Sequence, residues 1–286
     1  MAVPHTAFPD AYTPAEMAQR VETVGVVKAR ADVLTTLPLA VLAGAFISLG
    51  ALFFTVTVTT GGNAENIPAV FGWNRLLGGM AFSLGLILVV VGGAELFTGN
   101  NLIAMAWAAG RISTGELLRN WVLVYLGNFI GALGTAILAY LAGVHLLGDG
   151  AVGNTAVRIA LAKTDLSPMQ AVASGILCNV LVCLAVWLCY AARSVTDKVL
   201  AILFPISAFV AAGFEHSVAN MYFLPIGMLL AADGEQPIGM AGAVTNLVLV
   251  TAGNIIGGTI LVALVYWFVY LRSERPAKSA TTKNSS

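Results

Sequence analysis

Long apolar stretches separated by short polar segments run through most of the chain. Six of these stretches reach the length of about 20 residues that a helix needs to cross a membrane. They are residues 35–60, 76–108, 117–144, 167–192, 199–231 and 241–271. Short polar pieces such as 61–66 and 232–235 separate them. This pattern predicts an all-α integral membrane protein with six transmembrane helices.

The residues before the first stretch have a different pattern. Residues 14–30 start with Pro14, which suits the first position of a helix, and they mix charged side chains with Val and Ala. We expect an amphipathic helix that lies on the membrane surface. We expect residues 1–13 to be frayed, and no charged region followed by an apolar core indicates a cleaved signal.

Three regions follow from these patterns. Residues 1–32 form a cytoplasmic N-terminal segment that contains the amphipathic helix, and residues 33–271 form the six-span domain. Residues 272–286 are rich in Ser, Thr, Lys and Ala. Because this composition supplies little apolar surface to bury, we expect a disordered cytoplasmic tail.

The composition supports a lipid-facing surface. Hydrophobic residues make up 58% of the chain and charged residues only 10%, against about 25% charged residues in soluble domains. The 14 Lys and Arg residues balance the 14 Asp and Glu residues, so no nucleic-acid partner is expected. The spacing of Cys178, Cys183 and Cys189 matches neither CxxC nor a zinc pattern. We therefore expect no metal or cofactor.

The basic residues predict the orientation in the membrane. Eleven of them fall on one side of the predicted spans: Arg20, Lys28, Arg30, Arg111, Arg119, Arg193, Lys198, Arg272, Arg275, Lys278 and Lys283. The opposite side has only Arg75, Arg158 and Lys163. By the positive-inside rule both termini are cytoplasmic, which fits an even number of spans. We expect a multi-pass protein of a bacterial-type cytoplasmic (inner) membrane.

The two halves of the chain resemble each other. Residues 120–131 (NWVLVYLGNFIG) and 246–257 (NLVLVTAGNIIG) are identical at eight of 12 positions. The third span therefore corresponds to the sixth. Since the repeated unit has an odd number of crossings, we expect an inverted three-span repeat with a transport pathway between the halves.

A second match places polar residues inside two spans. Glu95 and Asn100 in the second span correspond to Glu215 and Asn220 in the fifth, and glycines flank both pairs. A charged Glu at bilayer depth costs roughly 2.5–3.5 kcal/mol or more. We therefore predict that both helices are broken there, with half-helix N-termini that favour an anion. As a role for the glutamates, capping of these half-helices is preferred over contact with substrate.

Four further polar residues are candidates for the pathway. His216 can donate to a passing anion or hand it a proton, although a lone His in a span is often a structural hydrogen-bonder. Thr98 lies in the matching break. Lys163 at a pore mouth would concentrate anions, or it could be an interfacial Lys that reaches the headgroups. Asn179 could line the pathway or bond between helices.

Five segments carry a resemblance to a known family. GAELFTGNN (93–101), GILCNVLVCLAVW (175–187), ARSVTDK (192–198), GFEHSVANM (213–221) and GNIIGG (253–258) resemble the formate/nitrite transporter family. The resemblance covers nearly all of residues 14–271. It implies an aquaporin-like fold with a pore in every protomer, assembled as a homopentamer in the lipid bilayer.

The resemblance also implies roles for particular residues. His216 matches the central family histidine, Thr98 its hydrogen-bonding threonine, Lys163 the lysine of the outer vestibule and Asn179 the asparagine of the fourth span. Glu215 and Asn220 belong to the same pathway. The outer constriction corresponds to Phe82 and Phe209, and the inner one to Leu86, Leu96 and Val182. In the family, the break in the second span forms a mobile loop, which corresponds here to Leu96, Phe97, Thr98, Gly99 and Asn100. From spacing alone the apolar residues are ordinary core.

The implied function is transport of small monovalent anions of weak acids, with formate as the preferred substrate and pH-dependent, proton-linked passage. Nitrite and hydrosulfide remain alternatives, because TGNN and ALAKT resemble nitrite-type members whereas ARSVTDK resembles formate-type members. Acetate and lactate are further options. A neutral-solute channel of the aquaporin type is a second class, although no Asn-Pro-Ala pair is present. The His and Cys residues form no constellation expected of an enzyme.

Overall fold

A computed structural model describes residues 10–59, 68–231 and 237–274 of the chain. Its main elements are α1 Pro14–Arg30, α2 Val33–Val58, α3 Pro68–Gly92, α4 Ala104–Ala108, α5 Thr114–Leu141, α6 Ala151–Thr164, α7 Pro168–Ala191, α8 Val195–Ala212, α9 Ser217–Leu230, α10 Met240–Ile255 and α11 Val265–Tyr270. Short 3-10 helices cover Gly99–Ile103, Val144–Leu146 and Arg272–Glu274, and a π-helix covers Ile256–Leu264. No strand occurs in these ranges.

Six helical segments are long and apolar enough to cross a membrane: Val33–Val58, Val70–Gly92, Thr114–Leu141, Pro168–Ala191, Val195–Ala212 and Met240–Tyr270. The prediction of six spans is confirmed, and so is the prediction that the second and fifth are broken. The helix of the second span, α3, starts at Pro68, earlier than predicted. The helix α6 was not predicted, because its mixed composition shows no clear period.

Several predicted features fall outside the described residues. These are the polar pieces 61–66 and 232–235, most of the N-terminal segment that we expected to be frayed, and nearly all of the predicted tail. The first residues of that tail, Arg272–Glu274, form a short 3-10 helix, so the helical part extends slightly beyond the predicted boundary.

The helix α1 begins with a capping box. Thr13 Oγ1 accepts from the Glu16 amide, and the Glu16 carboxylate accepts from the Thr13 amide and hydroxyl. The bonds that the Glu16 carboxylate accepts lower the pKa of Glu16, and the bond from the Thr13 amide has the largest effect. One face of α1 packs Met17 and Val21 against the helix bundle. Protein therefore covers this apolar face, which we had expected to lie on the membrane.

Small residues let the helices pack closely. A Cβ added at Gly131 of α5 would overlap the carbonyl oxygen of Val41 in α2, and one added at Gly257 would overlap that of Ile176 in α7. Backbones that approach this closely are characteristic of helix pairs in membranes. The same contact therefore occurs in each half of the chain, between helices that the repeat relates.

We expect Gly131→Ala to destabilise the protein by about 1–3 kcal/mol or more, because a backbone carbonyl cannot move aside as a side chain can. Thermal unfolding of the purified protein in detergent measures this. Gly134→Ala, one turn further along α5, is the matched control, because nothing lies within 4 Å of a Cβ at that position. Equal melting temperatures for the two variants would contradict the prediction.

Candidate functional site

The two broken spans stop in the same way. α3 is followed by Gly93 at φ +79° and α8 by Gly213 at φ +77°, a left-handed conformation that glycine adopts without strain. The Ala94 amide then bonds the Val89 carbonyl at 2.9 Å, and the Phe214 amide bonds the Phe209 carbonyl at 3.0 Å. These are the six-to-one bonds of a Schellman ending, after which residues 94–96 and 214–216 belong to no helix.

An asparagine of α5 supports the extended chain of the first break. Asn128 Nδ2 donates to the carbonyls of Ala40 at 2.7 Å and Glu95 at 2.9 Å. Its Oδ1 accepts from the amide of Phe97 at 2.9 Å. Buried backbone groups need such partners, and the break, which lacks helical bonds, obtains them from this side chain.

Asn254 of α10 does the same for the second break. Its Nδ2 donates to the carbonyls of Gly175 at 2.8 Å and Glu215 at 3.0 Å, and its Oδ1 accepts from the amide of Ser217 at 2.9 Å. Asn128 and Asn254 are paired by the sequence repeat. The repeat therefore extends to individual hydrogen bonds, while the opposite orientation of the two halves stays a prediction.

A polar cluster forms beside the first break. Lys28 Nζ lies 3.0 Å from Glu95 Oε1 and donates to Asn100 Oδ1 at 2.9 Å. Asn100 Nδ2 donates to Glu95 Oε2 at 2.7 Å and to Asn120 Oδ1 at 3.0 Å. Asn120 Nδ2 donates to the Lys28 carbonyl at 3.1 Å. The intramembrane glutamate is therefore paired, as its burial requires.

A matching cluster forms beside the second break. Lys163 Nζ lies 2.8 Å from Glu215 Oε1. Asn220 Nδ2 donates to Glu215 Oε2 at 2.6 Å and to Asn246 Oδ1 at 2.7 Å. Asn246 Nδ2 donates to the Lys163 carbonyl at 2.8 Å. The long polar side chains of α1 and α6 thus reach the two breaks in equivalent ways.

The helix cap at the second break is the histidine and not the glutamate. His216 Nδ1 accepts from the Ala219 amide at 3.0 Å, whereas the Glu215 carboxylate bonds the Lys163 and Asn220 side chains. The preference for glutamate capping was therefore wrong at this break, and it was wrong at the first break as well, where the Glu95 carboxylate bonds the Lys28 and Asn100 side chains and no side chain caps the 3-10 helix Gly99–Ile103. Because Nδ1 accepts, the proton of the neutral ring is on Nε2, which lies 2.9 Å from Thr98 Oγ1. The two breaks meet at this bond.

Two cavities approach the breaks from different ends. One, of ≈ 770 Å³, is called the α1 vestibule, and its lining includes Lys28, Leu86, Glu95, Leu96 and Asn100. The other, of ≈ 290 Å³, is called the α6 vestibule, and its lining includes Phe82, Lys163, Phe209, Glu215 and His216. Most residues selected from the sequence thus lie around one of two cavities that share the region of the breaks.

Aromatic rings close the inner end of the α6 vestibule. The Phe82 and Phe209 rings meet edge to face at 5.7 Å, and Phe209 stacks on His216 at 6.0 Å. The side chain of Val182 is buried but lines neither vestibule. Thr98 is fully buried behind these residues. The polar His216–Thr98 pair therefore lies among apolar side chains between the two vestibules.

Asn179 of α7 connects the first break to α10 from inside the protein. It is fully buried, and its Nδ2 donates to the carbonyls of Thr98 at 3.3 Å and Asn254 at 2.7 Å and to Asn101 Oδ1 at 2.9 Å. Cys183 Sγ donates to the same Thr98 carbonyl at 3.3 Å. Of the two roles left open by the sequence, the structure shows bonding between helices.

Sequence reasoning missed the supporting residues. Lys28 was interpreted as part of an amphipathic helix and as one of the basic residues that predict the orientation, and Asn120, Asn128, Asn246 and Asn254 as members of the repeat. A signal was available, because a buried amide repeated in register needs partners. In the ranges that the structure describes, no group of three or more His, Cys, Asp or Glu side chains could hold a metal ion.

A bundle of six apolar spans, with two broken helices that meet between two cavities, each with a lysine–glutamate pair in its lining, defines a membrane transport protein. A family profile described as "Formate/nitrite transporter" matches residues 15–268. The chain belongs to the formate/nitrite transporter family.

Relatives of known name and structure agree with this assignment. The formate channel FocA of Escherichia coli K12 is 44% identical over 278 residues, which cover 92% of this chain and 96% of that protein. FocA of Haemophilus influenzae is 38% identical, with 89% and 93% covered. A solved structure described as a "Pentameric formate channel with formate bound" is similar with a TM-score of 0.75 at 40% identity, covering 84% of this chain and 98% of the other. An "FNT family ion channel" is similar with a TM-score of 0.78 at 31% identity, covering 89% and 98%.

Proposed function

We propose that each protomer conducts formate between the α1 and α6 vestibules, with passage linked to protons. The observation that carries this proposal is the arrangement of two cation-bearing cavities around an apolar region that contains the His216–Thr98 hydrogen bond. The named formate channels among the relatives support formate as the substrate. The proposed function is transport alone, without a covalent step on the substrate.

Entry into the vestibules is electrostatic. Lys28 and Lys163 place ammonium groups in the two cavities, and the N-terminus of α9 adds a partial positive charge at the second break. Each ammonium is paired with a glutamate, so each cluster limits the total charge while it offers donors to an anion. Such a lining favours small monoanions over cations.

Passage through the apolar region requires that the anion lose water. Burial of an unpaired carboxylate is costly, so formate crosses most cheaply as the neutral acid, which takes its proton in the vestibule. The Nε2–H of His216 and the hydroxyl of Thr98 supply hydrogen bonds at the midpoint. A proton donated from His216 would require protonation of Nδ1, which would end the bond from the Ala219 amide. The geometry therefore favours hydrogen-bond donation over a proton relay.

The proposed pathway between the two vestibules has two constrictions and a gating loop. Phe82 and Phe209 form the constriction at the α6 vestibule, and Leu86, Leu96 and Val182 form the one towards the α1 vestibule. The segment Leu96, Phe97, Thr98, Gly99 and Asn100 is the gating loop. In the described state the Asn100 amide bonds the Leu96 carbonyl at 2.8 Å, which keeps the loop compact.

The setting in the cell completes the proposal. The α1 vestibule and both termini face the cytoplasm of a bacterial-type inner membrane, with residues 1–32 as the cytoplasmic segment, residues 33–271 as the six-span domain and residues 272–286 as the tail. Five copies form a homopentamer, which the similarity to a pentameric formate channel supports. Exposed apolar side chains such as Leu126, Phe204 and Phe268 then face lipid or a neighbouring protomer.

Proteoliposomes that contain the purified protein should take up formate, and the initial rate should rise as the pH falls from about 8 to 5, because a larger fraction of a carboxylic acid is then neutral. Uptake of nitrite and hydrosulfide in the same vesicles ranks the alternatives. Protein-free vesicles give the background at each pH. Entry of water or glycerol without entry of any of these anions would replace the proposal by a neutral-solute channel.

A further inference from the structure

Arg75 is a cation of the α6 vestibule that the pathway described so far does not use. It lies in α3, seven residues after Pro68, and its side chain is partly buried in the lining of the cavity. No carboxylate lies within ion-pair distance of its guanidinium in the part of the chain that the structure describes. Lys163 in the same cavity is different, because Glu215 is 2.8 Å away.

The backbone at the end of α8 holds the guanidinium. Arg75 Nε donates to the Ala211 carbonyl at 2.8 Å, and Nη2 donates to the Val210 carbonyl at 3.1 Å. These carbonyls belong to the last turn of the helix that stops at the second break. The C-terminus of a helix carries a partial negative charge, which would repel an anion at this point. Arg75 covers that end with a full positive charge.

These two bonds leave part of the guanidinium free. They use the edge formed by Nε and Nη2, whereas the edge formed by the two Nη groups has no protein partner in the described residues. A free guanidinium edge presents parallel N–H groups that match the two oxygens of a carboxylate. Among the described residues, the lining of the vestibule thus contains the ion pair of Lys163 with Glu215 and, in Arg75, a cation without an acid partner.

We propose that Arg75 is the residue that first binds the anion in the α6 vestibule, before the anion reaches Lys163. This inference rests on the proposed function and adds to it the residue that captures the substrate on one side. From a distance the Lys163–Glu215 pair acts as a dipole, whose field decays faster than that of a single charge. Arg75 therefore dominates the field at the mouth, and Lys163 receives the anion further in.

The test measures formate influx from the α6 side against formate concentration, in proteoliposomes whose protein orientation is read from protease cleavage of a C-terminal tag. At low ionic strength Arg75→Gln should raise the half-saturating concentration about threefold to tenfold, with a much smaller change in maximal flux. Arg75→Lys, which keeps the charge but lacks the planar edge of parallel N–H groups, should remain closer to the wild-type protein. At about 0.5 M salt the difference should largely vanish.

Arg119→Gln is the matched control, because this exposed arginine also donates to a backbone carbonyl, that of Ala31 at 3.0 Å, but lines neither vestibule. If Arg75→Gln does not fold, Arg75→His replaces it. Its half-saturating concentration relative to the wild-type value should rise between about pH 5.5 and 8, where the imidazole loses its charge. Equal values for Arg75→Gln and Arg75→Lys, or no dependence on charge in any variant, would overturn the inference. Absence of formate flux in the wild-type protein would instead overturn the proposed function.

Discussion

His216→Asn is expected to slow formate transport about tenfold to hundredfold at every pH between 5 and 8. Asn is a good N-cap residue, so this variant can still accept from the Ala219 amide and keep the start of α9 in place. Its amide is too short to replace the ring nitrogen that reaches Thr98. Leaving a buried polar group without its hydrogen-bond partner costs about 1–3 kcal/mol, which sets the size of the effect on the rate.

The pH dependence of this variant separates two mechanisms. If the proton enters with formate, His216→Asn should keep the rise of flux at low pH at a lower overall rate. If His216 relays the proton, that rise should disappear. Thr98→Ser, which keeps the hydroxyl, and Thr98→Val, which removes it, serve as controls for the partner atom. Flux in His216→Asn equal to that of the wild-type protein throughout this range would remove His216 from the pathway.

Glu215→Gln is expected to lower the free energy of unfolding by about 3–5 kcal/mol, because it leaves the Lys163 ammonium without its anion in a buried site. The side chains of this pair are only 12% and 6% exposed. The double variant Glu215→Gln with Lys163→Met should regain much of this loss, since no lone charge remains. A double-mutant cycle compares the unfolding in detergent of the wild-type protein, Glu215→Gln, Lys163→Met and the double variant.

The first half of the chain supplies the control for this cycle. Glu95→Gln disrupts the equivalent pair with Lys28, whose side chains are 28% and 12% exposed. Because water reaches Lys28 more easily, the loss of stability should be smaller than at Glu215. A loss below about 1 kcal/mol for Glu215→Gln, or a double variant no more stable than the single one, would show that the ion pair contributes little to stability.

The spans and the two breaks could be predicted because each rests on a strong local signal. A stretch of about 20 apolar residues has few alternatives to a membrane helix, and Glu95 and Glu215 cannot stay inside such a stretch without a polar environment. The helix α6 has neither signal. Its packing against α9, which places Lys163 beside the second break, becomes visible only in the tertiary structure.

The partners within the site could not be predicted in the same way. Sequence spacing suggested that Glu215 caps the following half-helix, but the competition between His216 and Glu215 for the Ala219 amide is decided by where Lys163 and Asn220 lie. These residues come from different parts of the chain. Lys28 was missed for the same reason, because its role depends on the contact between α1 and the first break.

One difference between the two halves lies in the centre of the molecule. Lys28 and Lys163 are 135 residues apart, as are Ala40 and Gly175, the two carbonyl partners of Asn128 and Asn254. The same interval relates Asn179 to Gly44. A Cβ at Gly44 would overlap the Asn128 carbonyl, whereas Asn179 extends a full amide to the Asn254 carbonyl and on to the first break. The two halves thus share the hydrogen bonds of Asn128 and Asn254, but only the second half has the hydrogen bonds that Asn179 makes. Inward and outward rates under equal and opposite gradients are therefore free to differ, because no molecular symmetry makes them equal.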